Sequence, residues 1–342
     1  MNVTQVSIFR LLMAVLCIVA LATGCASQAR ITEVAATDTP QVNIVEPTAT
    51  PLPPTPTELP KMDYDGYESR FIHNVPYVPG GTADQELDIY YPTEGVGPFP
   101  TILAIHGGCF QWETKTNYLR YASFFNKLGY ALVAIDYRLA PSFTYPAQVQ
   151  DSFCALAWIY ANADTYGFDT ERIVAVGESA GGYLVAMLGA VDTPNLYMEG
   201  CPYTLPETNW VQGIIPFYGL FDFTSMDGYS DWTVHECMEP YLGTTFSDVP
   251  TELLTEMSPM SWVDGRESPF LVVHDLSDEL IPSWMAEDFA SKLEEAGAET
   301  ELLLVEAEHG YVTDEPLWSD ANIKTQEAVT LFLYRLSVRS QE

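Results

Sequence analysis

A serine framed by small residues stands at Gly177-Glu178-Ser179-Ala180-Gly181. It follows the apolar, β-branched run Arg172-Ile-Val-Ala-Val and leads directly into Gly182-Tyr-Leu-Val-Ala-Met, which reads as helix. Glycine and alanine beside the serine are what a sharp strand-to-helix turn requires. Such a turn lifts the hydroxyl above a sheet and aims a helix N-terminus at it, as in the G-x-S-x-G nucleophile elbow. A hydroxyl in that place is a nucleophile for acyl transfer. Acyl transfer also needs donors for the developing oxyanion, worth several kcal/mol when preorganised. Ile105-His106-Gly107-Gly108-Cys109-Phe110, at the end of an earlier apolar run, supplies a glycine-rich loop whose backbone can approach a substrate closely. The N–H groups of Gly108, Cys109 and Ala180 are the expected oxyanion donors. The serine further needs a base and an acid to orient that base. His235, His274 and His309 are the histidines downstream of it.

The elements that must hold these groups follow from the alternation of patterns. Short β-rich runs are predicted at 87–91, 101–106, 131–137, 172–177, 213–218, 270–274 and 301–306. Several are apolar throughout, as in Thr-Ile-Leu-Ala-Ile-His, which is how strands covered on both faces of a parallel sheet read. Helices are predicted at 118–128, 149–161, 180–190, 284–296 and 323–336. Strand–helix alternation predicts a doubly wound α/β architecture, a mostly parallel central sheet flanked by helices. Residues 219–265, rich in aromatic, Met and turn residues, break the rhythm and read as a cap-like insertion. The glycine loop Val78-Pro-Gly-Gly-Thr82 has no phosphate-binding context and reads as a turn.

With Asp136-Tyr137-Arg138-Leu139-Ala140-Pro141 and Tyr145-Pro146-Ala147-Gln148-Val149-Gln150-Asp151, these motifs resemble the α/β-hydrolase superfamily. The likeness is to its serine esterases related to hormone-sensitive lipase and to bacterial feruloyl and acetyl esterases. It extends from Glu86 to Leu336, with the middle of the insertion poorly matched. Cys109 departs from the family's usual third glycine. The resemblance implies a catalytic triad of Ser179, Asp278 and His309. His309 sits in Glu306-Ala-Glu-His-Gly-Tyr after the last predicted strand. Asp278 sits in His274-Asp275-Leu-Ser-Asp278-Glu279-Leu-Ile-Pro282, which is similar to the family's H-G-x-x-D-x-x-V-P loop. Asp275 and Glu279 are expected to be solvated loop acids, and Asp222 is the remaining alternative for the triad acid. His106, Arg138 and Asp151 are expected to be framework residues. The activity implied is hydrolysis of neutral carboxylic esters through an acyl-enzyme, on small-molecule or polysaccharide-linked substrates. A peptidase of the prolyl-oligopeptidase type shares the fold and triad, and an inactive binding protein on this scaffold is a further alternative.

Composition narrows the partners. The 342 residues carry 14 Lys+Arg against 47 Asp+Glu, a net charge of −33. That excess excludes sequence-independent binding to phosphate backbones and an electrostatic hold on anionic lipid. The chain begins with a signal-peptide pattern over residues 1–24: Arg10, then a short apolar run over 11–23. Leu21-Ala22-Thr23-Gly24-Cys25-Ala26 resembles a bacterial lipobox, with Cys25 the lipidated residue and Ala22 where Leu is usual. Residues 25–62 read as a Pro/Thr-rich tether of extended chain, and 63–342 as the hydrolase domain. The expected location is therefore extracytoplasmic, in a bacterial envelope, with the N-terminal lipid as the only membrane attachment, or secreted if the lipobox is unused. Export permits disulfides among Cys109, Cys154, Cys201 and Cys237. A Cys201–Cys237 bridge bracing the insertion is expected, with separate buried thiols as the alternative. The five histidines are scattered without metal-binding spacing, so no metal and no cofactor is expected. Of the aromatic residues near the mouth or insertion, Trp112, Tyr183, Phe217, Tyr218, Phe221, Trp232, Trp262 and Trp284, most are expected to pack and a few to line a pocket.

Overall fold

The computed structural model describes residues 70–208, 210–225, 229–317 and 319–339. The signal-peptide and lipobox readings over 1–25 and the tether over 25–62 lie outside the described residues. Eight strands form one sheet: β1 (Arg70–Pro76), β2 (Glu86–Tyr91), β3 (Phe99–Ile105), β4 (Ala131–Ile135), β5 (Phe168–Glu178), β6 (Gly213–Phe217), β7 (Phe270–Asp275) and β8 (Thr300–Val305). Their order across the sheet is β1-β2-β4-β3-β5-β6-β7-β8. The β1–β2 and β2–β4 pairs are antiparallel and all the others parallel. All seven predicted strands are present. The additional one, β1, is an exposed edge strand with no apolar alternation to announce it.

The helices are α1 (Leu119–Lys127), α2 (Ala147–Ala161), α3 (Ala180–Ala190), α4 (Trp284–Ala296) and α5 (Asp320–Arg339), with several single turns between them. Consecutive strand residues point to opposite faces, so each central strand feeds two cores. On one face Leu103, Ile105, Val133 and Ala175 pack with Phe153 of α2, Leu184 of α3 and Phe289 of α4. On the other, Ile102, Ala104, Val174 and Val176 pack with Phe124 of α1 and Phe332 of α5. Covering both faces explains why the strands read as continuous apolar runs. No helix among the described residues is long and apolar enough to cross a membrane.

The 219–265 segment leaves β6 and returns before β7. It carries a π-helical turn at Thr233–Met238, then short helices at Glu239–Leu242 and Thr251–Glu256. The cysteines correct the expected pairing. Cys109 is joined to Cys237 and Cys154 to Cys201, so the Cys201–Cys237 bridge does not form. The reason lies in the packing. The π-helical turn lies over the Cys109 loop, bringing the two Cα atoms to 4.9 Å, while α2 presents Cys154 to the turn at Cys201. The Val78–Thr82 segment is a turn, closed by Gly81 N–H donating to the Val78 carbonyl.

Candidate active site

Ser179 occupies the junction between β5 and α3 with φ 54° and ψ −117°. A non-glycine residue in that region is strained by a few kcal/mol at most and persists only where its surroundings hold it. Here Ser179 N–H donates to the Phe217 carbonyl of β6 at 2.9 Å. The flanking glycines are dictated by close approach. A Cβ on Gly177 would collide with the Gly181 carbonyl, and one on Gly181 with the Ile105 carbonyl of β3. Ala180 is the first residue of α3, so its N–H has no acceptor within the helix and faces outward beside the hydroxyl.

His309 follows β8 and Asp278 follows β7. Their two loops are bound together by Leu276 N–H to the Val305 carbonyl and Ser277 N–H to the Ala307 carbonyl. The Asp278 Oδ2 lies 2.7 Å from His309 Nδ1, and His309 Nε2 lies 3.0 Å from Ser179 Oγ. A carboxylate can only accept, so Nδ1 carries the proton and Nε2 is left to accept from the serine hydroxyl. The Tyr218 ring meets the imidazole edge to face at 4.8 Å and fixes its plane.

The Asp278 side chain is fully buried, which alone would raise its pKa. Hydrogen bonds from His274 and His309, and from the N–H of Ile281, outweigh burial and hold its carboxyl well below the usual range. Its Oδ1 accepts from both Leu280 and Ile281 N–H at 2.8 Å. His274, also fully buried, donates from Nε2 to the Ile281 carbonyl at 3.0 Å and lies 3.3 Å from Asp278. Asp222 is not brought to this group. Its carboxylate accepts instead from the backbone and side chain of Thr224.

Asp275 departs from the expected solvated acid. It closes β7, is wholly buried, and neither carboxylate oxygen has a hydrogen-bond partner among the described residues. Burial first, then the charge of Asp278, pushes its carboxyl up to about 6. Glu279, by contrast, is exposed as expected. His274, Asp275 and Asp278 bring one potential ligand atom each within 4.8 Å of one another, a grouping that the scattered histidines did not announce. Both Asp278 oxygens are already committed to His309 and the Leu280 and Ile281 amides.

The loop after β3 turns through three consecutive left-handed residues, Gly108 (φ 80°), Cys109 (φ 51°) and Phe110 (φ 60°). The residue before the nucleophile holds it: Glu178 accepts from Gly107 N–H. Tyr137 adds a hydroxyl donated to the His106 and Gly107 carbonyls at 3.0 and 2.7 Å. Burial, then the nearby charge of Glu113, raises the Glu178 carboxyl well above its ordinary range. Glu178 is assigned no role from the sequence. The signal was a carboxylate closing the buried apolar run 173–177 of β5. His106 packs flat against Tyr137 at 4.3 Å, and burial lowers its pKa to about 4, keeping it a neutral framework residue. Arg138 grips Asp151 through Nε and Nη2 at 2.9 Å and is likewise framework.

Ser179 and His309 border a small pocket of about 20 Å³. Cys109, Phe110, Ala180, Leu220, Cys237 and Met238 contribute to its lining. Cys109 and Ala180, two of the three expected oxyanion donors, thus border it, while Gly108 lies one residue behind. Of the aromatic residues, Tyr183, Phe217, Tyr218 and Phe221 are buried. Trp112 and Trp232 are each 44% exposed, with ring centroids 6.3 Å apart.

A nucleophile elbow, a histidine loop after the last strand and an acid loop after the one before it define an α/β-hydrolase. Residues 87–293 match the BD-FAE family, and the chain belongs to it. It is 31% identical over 235 residues to the esterase LipQ of Mycobacterium tuberculosis. That match covers 66% of this chain and 53% of LipQ, so the chain spans about half the length of the curated relatives it matches. Two solved structures share the fold. An inhibited esterase B from Lactobacillus rhamnosis aligns with TM-score 0.67 and 19% identity, covering 80% of this chain and 88% of that one. The propionate-bound thermophilic esterase Est2 of Thermogutta terrifontis aligns with TM-score 0.61 and 24% identity, covering 80% and 95%.

Proposed function

We propose that this protein is a serine carboxylesterase that hydrolyses neutral esters through an acyl-enzyme on Ser179. The observation that carries the reading is the unbroken chain from Asp278 Oδ2 through His309 to Ser179 Oγ, 2.7 and 3.0 Å long. In the first half-reaction His309 Nε2 takes the hydroxyl proton as Oγ attacks the ester carbonyl carbon. The oxyanion is received by the N–H groups of Cys109 and Ala180, with Gly108 as the third expected donor. The Asp278 carboxylate stays ionised and stabilises the imidazolium. His309 then protonates the departing alcohol. Water, deprotonated by the same imidazole, attacks the acyl-enzyme, and Ser179 leaves with the proton returned. The esterase name carried by LipQ and the propionate bound to Est2 support a short-chain ester as substrate.

The sequence features at 1–25 and 25–62 support an exported protein held to a bacterial envelope by lipid on Cys25. Two disulfides fit an oxidising compartment. Hydrolysis of an aryl acetate without hydrolysis of a peptide anilide is the result that separates an esterase from a peptidase. A palmitate label that appears on the full chain and disappears with Cys25→Ala tests the anchor.

A further inference from the structure

Four successive residues of the loop bearing the expected oxyanion donor are each tied to one short stretch of the insertion. Cys109 is bonded to Cys237. Phe110 stacks on Tyr241 with centroids 3.8 Å apart and planes 11° from parallel. Gln111 Nε2 donates to the Glu236 carbonyl. Trp112 meets Trp232 at 6.3 Å. The π-helical turn at Thr233–Met238 carries the covalent member, and its Thr233 hydroxyl donates to the Leu280 carbonyl at 3.0 Å, beside the acid loop. This one stretch of the insertion is thus fastened both to the oxyanion loop and to the loop of Asp278. Both bonded cysteines, and Met238 next to one of them, line the pocket beside Ser179. Cys109 and Ala180, whose N–H groups would hold the acyl oxygen, border this same pocket, as does His309.

We propose that the Cys109–Cys237 disulfide sets the wall of the acyl pocket, and that Cys237 is a positioning residue which keeps the Cys109 N–H in place and excludes long acyl chains. This rests on the esterase reading of Ser179 given above. Cys237 acts through Cys109 and the pocket wall and takes no part in the chemistry. Without the bond, the segment bearing Cys237 and Met238 is held by non-covalent contacts alone and can draw back. The pocket then lengthens while the oxyanion loop, left-handed at three residues in a row, loses its covalent tie.

The test uses the full-length protein and p-nitrophenyl acetate and hexanoate, with Ser179→Ala defining the background. Cys237→Ala and the isosteric pair Cys109→Ser with Cys237→Ser should raise the hexanoate-to-acetate ratio of kcat/KM by about tenfold, the size of effect expected from a reshaped apolar pocket. They should also lower kcat for acetate more than they change KM. Dithiothreitol, reducing the bond in the folded wild type to two thiols, should move the ratio the same way, which keeps the test open should a variant fold poorly. Cys154→Ala with Cys201→Ala, away from the pocket, should leave the ratio unchanged. Equal losses on both esters, or an unchanged ratio in protein whose reduction is verified by thiol labelling, would overturn this inference alone. Wild-type hydrolysis that does not depend on Ser179 would overturn the reading beneath it as well.

Discussion

At the scale of single residues, the site sorts its carboxyl groups by environment. Asp278 is surrounded by donors and remains charged, whereas Glu178 and Asp275 are buried with an acid for company and are pushed towards the neutral form. If Glu178 acts as a neutral acceptor for Gly107 N–H, Glu178→Gln keeps that acceptor and should retain kcat within about threefold. Glu178→Ala leaves the buried amide unpaired, at about 1–3 kcal/mol, and should lower kcat tenfold or more. Steady-state kinetics on an aryl acetate would distinguish this from a merely structural role, in which both variants lose equally. Asp275 supplies a test with a definite sign. Its carboxyl titrates at about 6 in the folded protein and at about 3.9 in an unfolded chain. Between those values the folded state holds the extra proton, so stability from this group is fully present below pH 4 and declines as pH rises through 6. Asp275→Asn should abolish that decline and stabilise the protein at pH 8 by about 1–3 kcal/mol relative to wild type. Urea unfolding at pH 4.5 and pH 8 checks this, and parallel behaviour of the two proteins at both values would refute it.

At the scale of elements, the parallel strands and their helices were legible because burial on both faces leaves an apolar run that few other structures produce. The nucleophile elbow was legible for a related reason, since its glycines answer to backbone contacts fixed by the fold. What escaped were features whose cause is non-local. β1 is an exposed edge whose residues show no period. The disulfide partners depend on how the 219–265 segment folds back, and a bridge bracing the insertion suggested Cys201 for Cys237 where space supplies Cys109. The burial of Asp275 depends on what covers the end of β7 and cannot be read from its acidic neighbours. The Cys154–Cys201 bridge ties α2 to the turn that follows α3, across 47 residues of chain. Replacing both cysteines by alanine should cost about 2–5 kcal/mol in denaturant unfolding while sparing kcat. A loss of activity without a loss of stability would show that this bridge serves the site instead.

At the scale of the whole molecule, charge joins geometry. The chain has a net charge of −33, and its pocket beside Ser179 is small and largely apolar. Anionic esters should be repelled on approach and neutral ones should not. Acetate esters are therefore expected to exceed the matching succinate half-esters in kcat/KM, with the gap narrowing between about 10 mM and 500 mM salt as the Debye length falls. A gap indifferent to salt would assign the discrimination to pocket shape. Every step of the proposed reaction requires Ser179 to be the group that carries the acyl chain. The most direct measurement is intact-protein mass spectrometry after exposure to a fluorophosphonate, paired with turnover of p-nitrophenyl acetate. One phosphonyl adduct is expected, located by peptide mapping at Ser179, with activity falling in step with its formation and both absent from Ser179→Ala. A Ser179→Ala protein that still turns over the ester at the wild-type rate, or an adduct on another residue that accounts for the lost activity, would contradict the account.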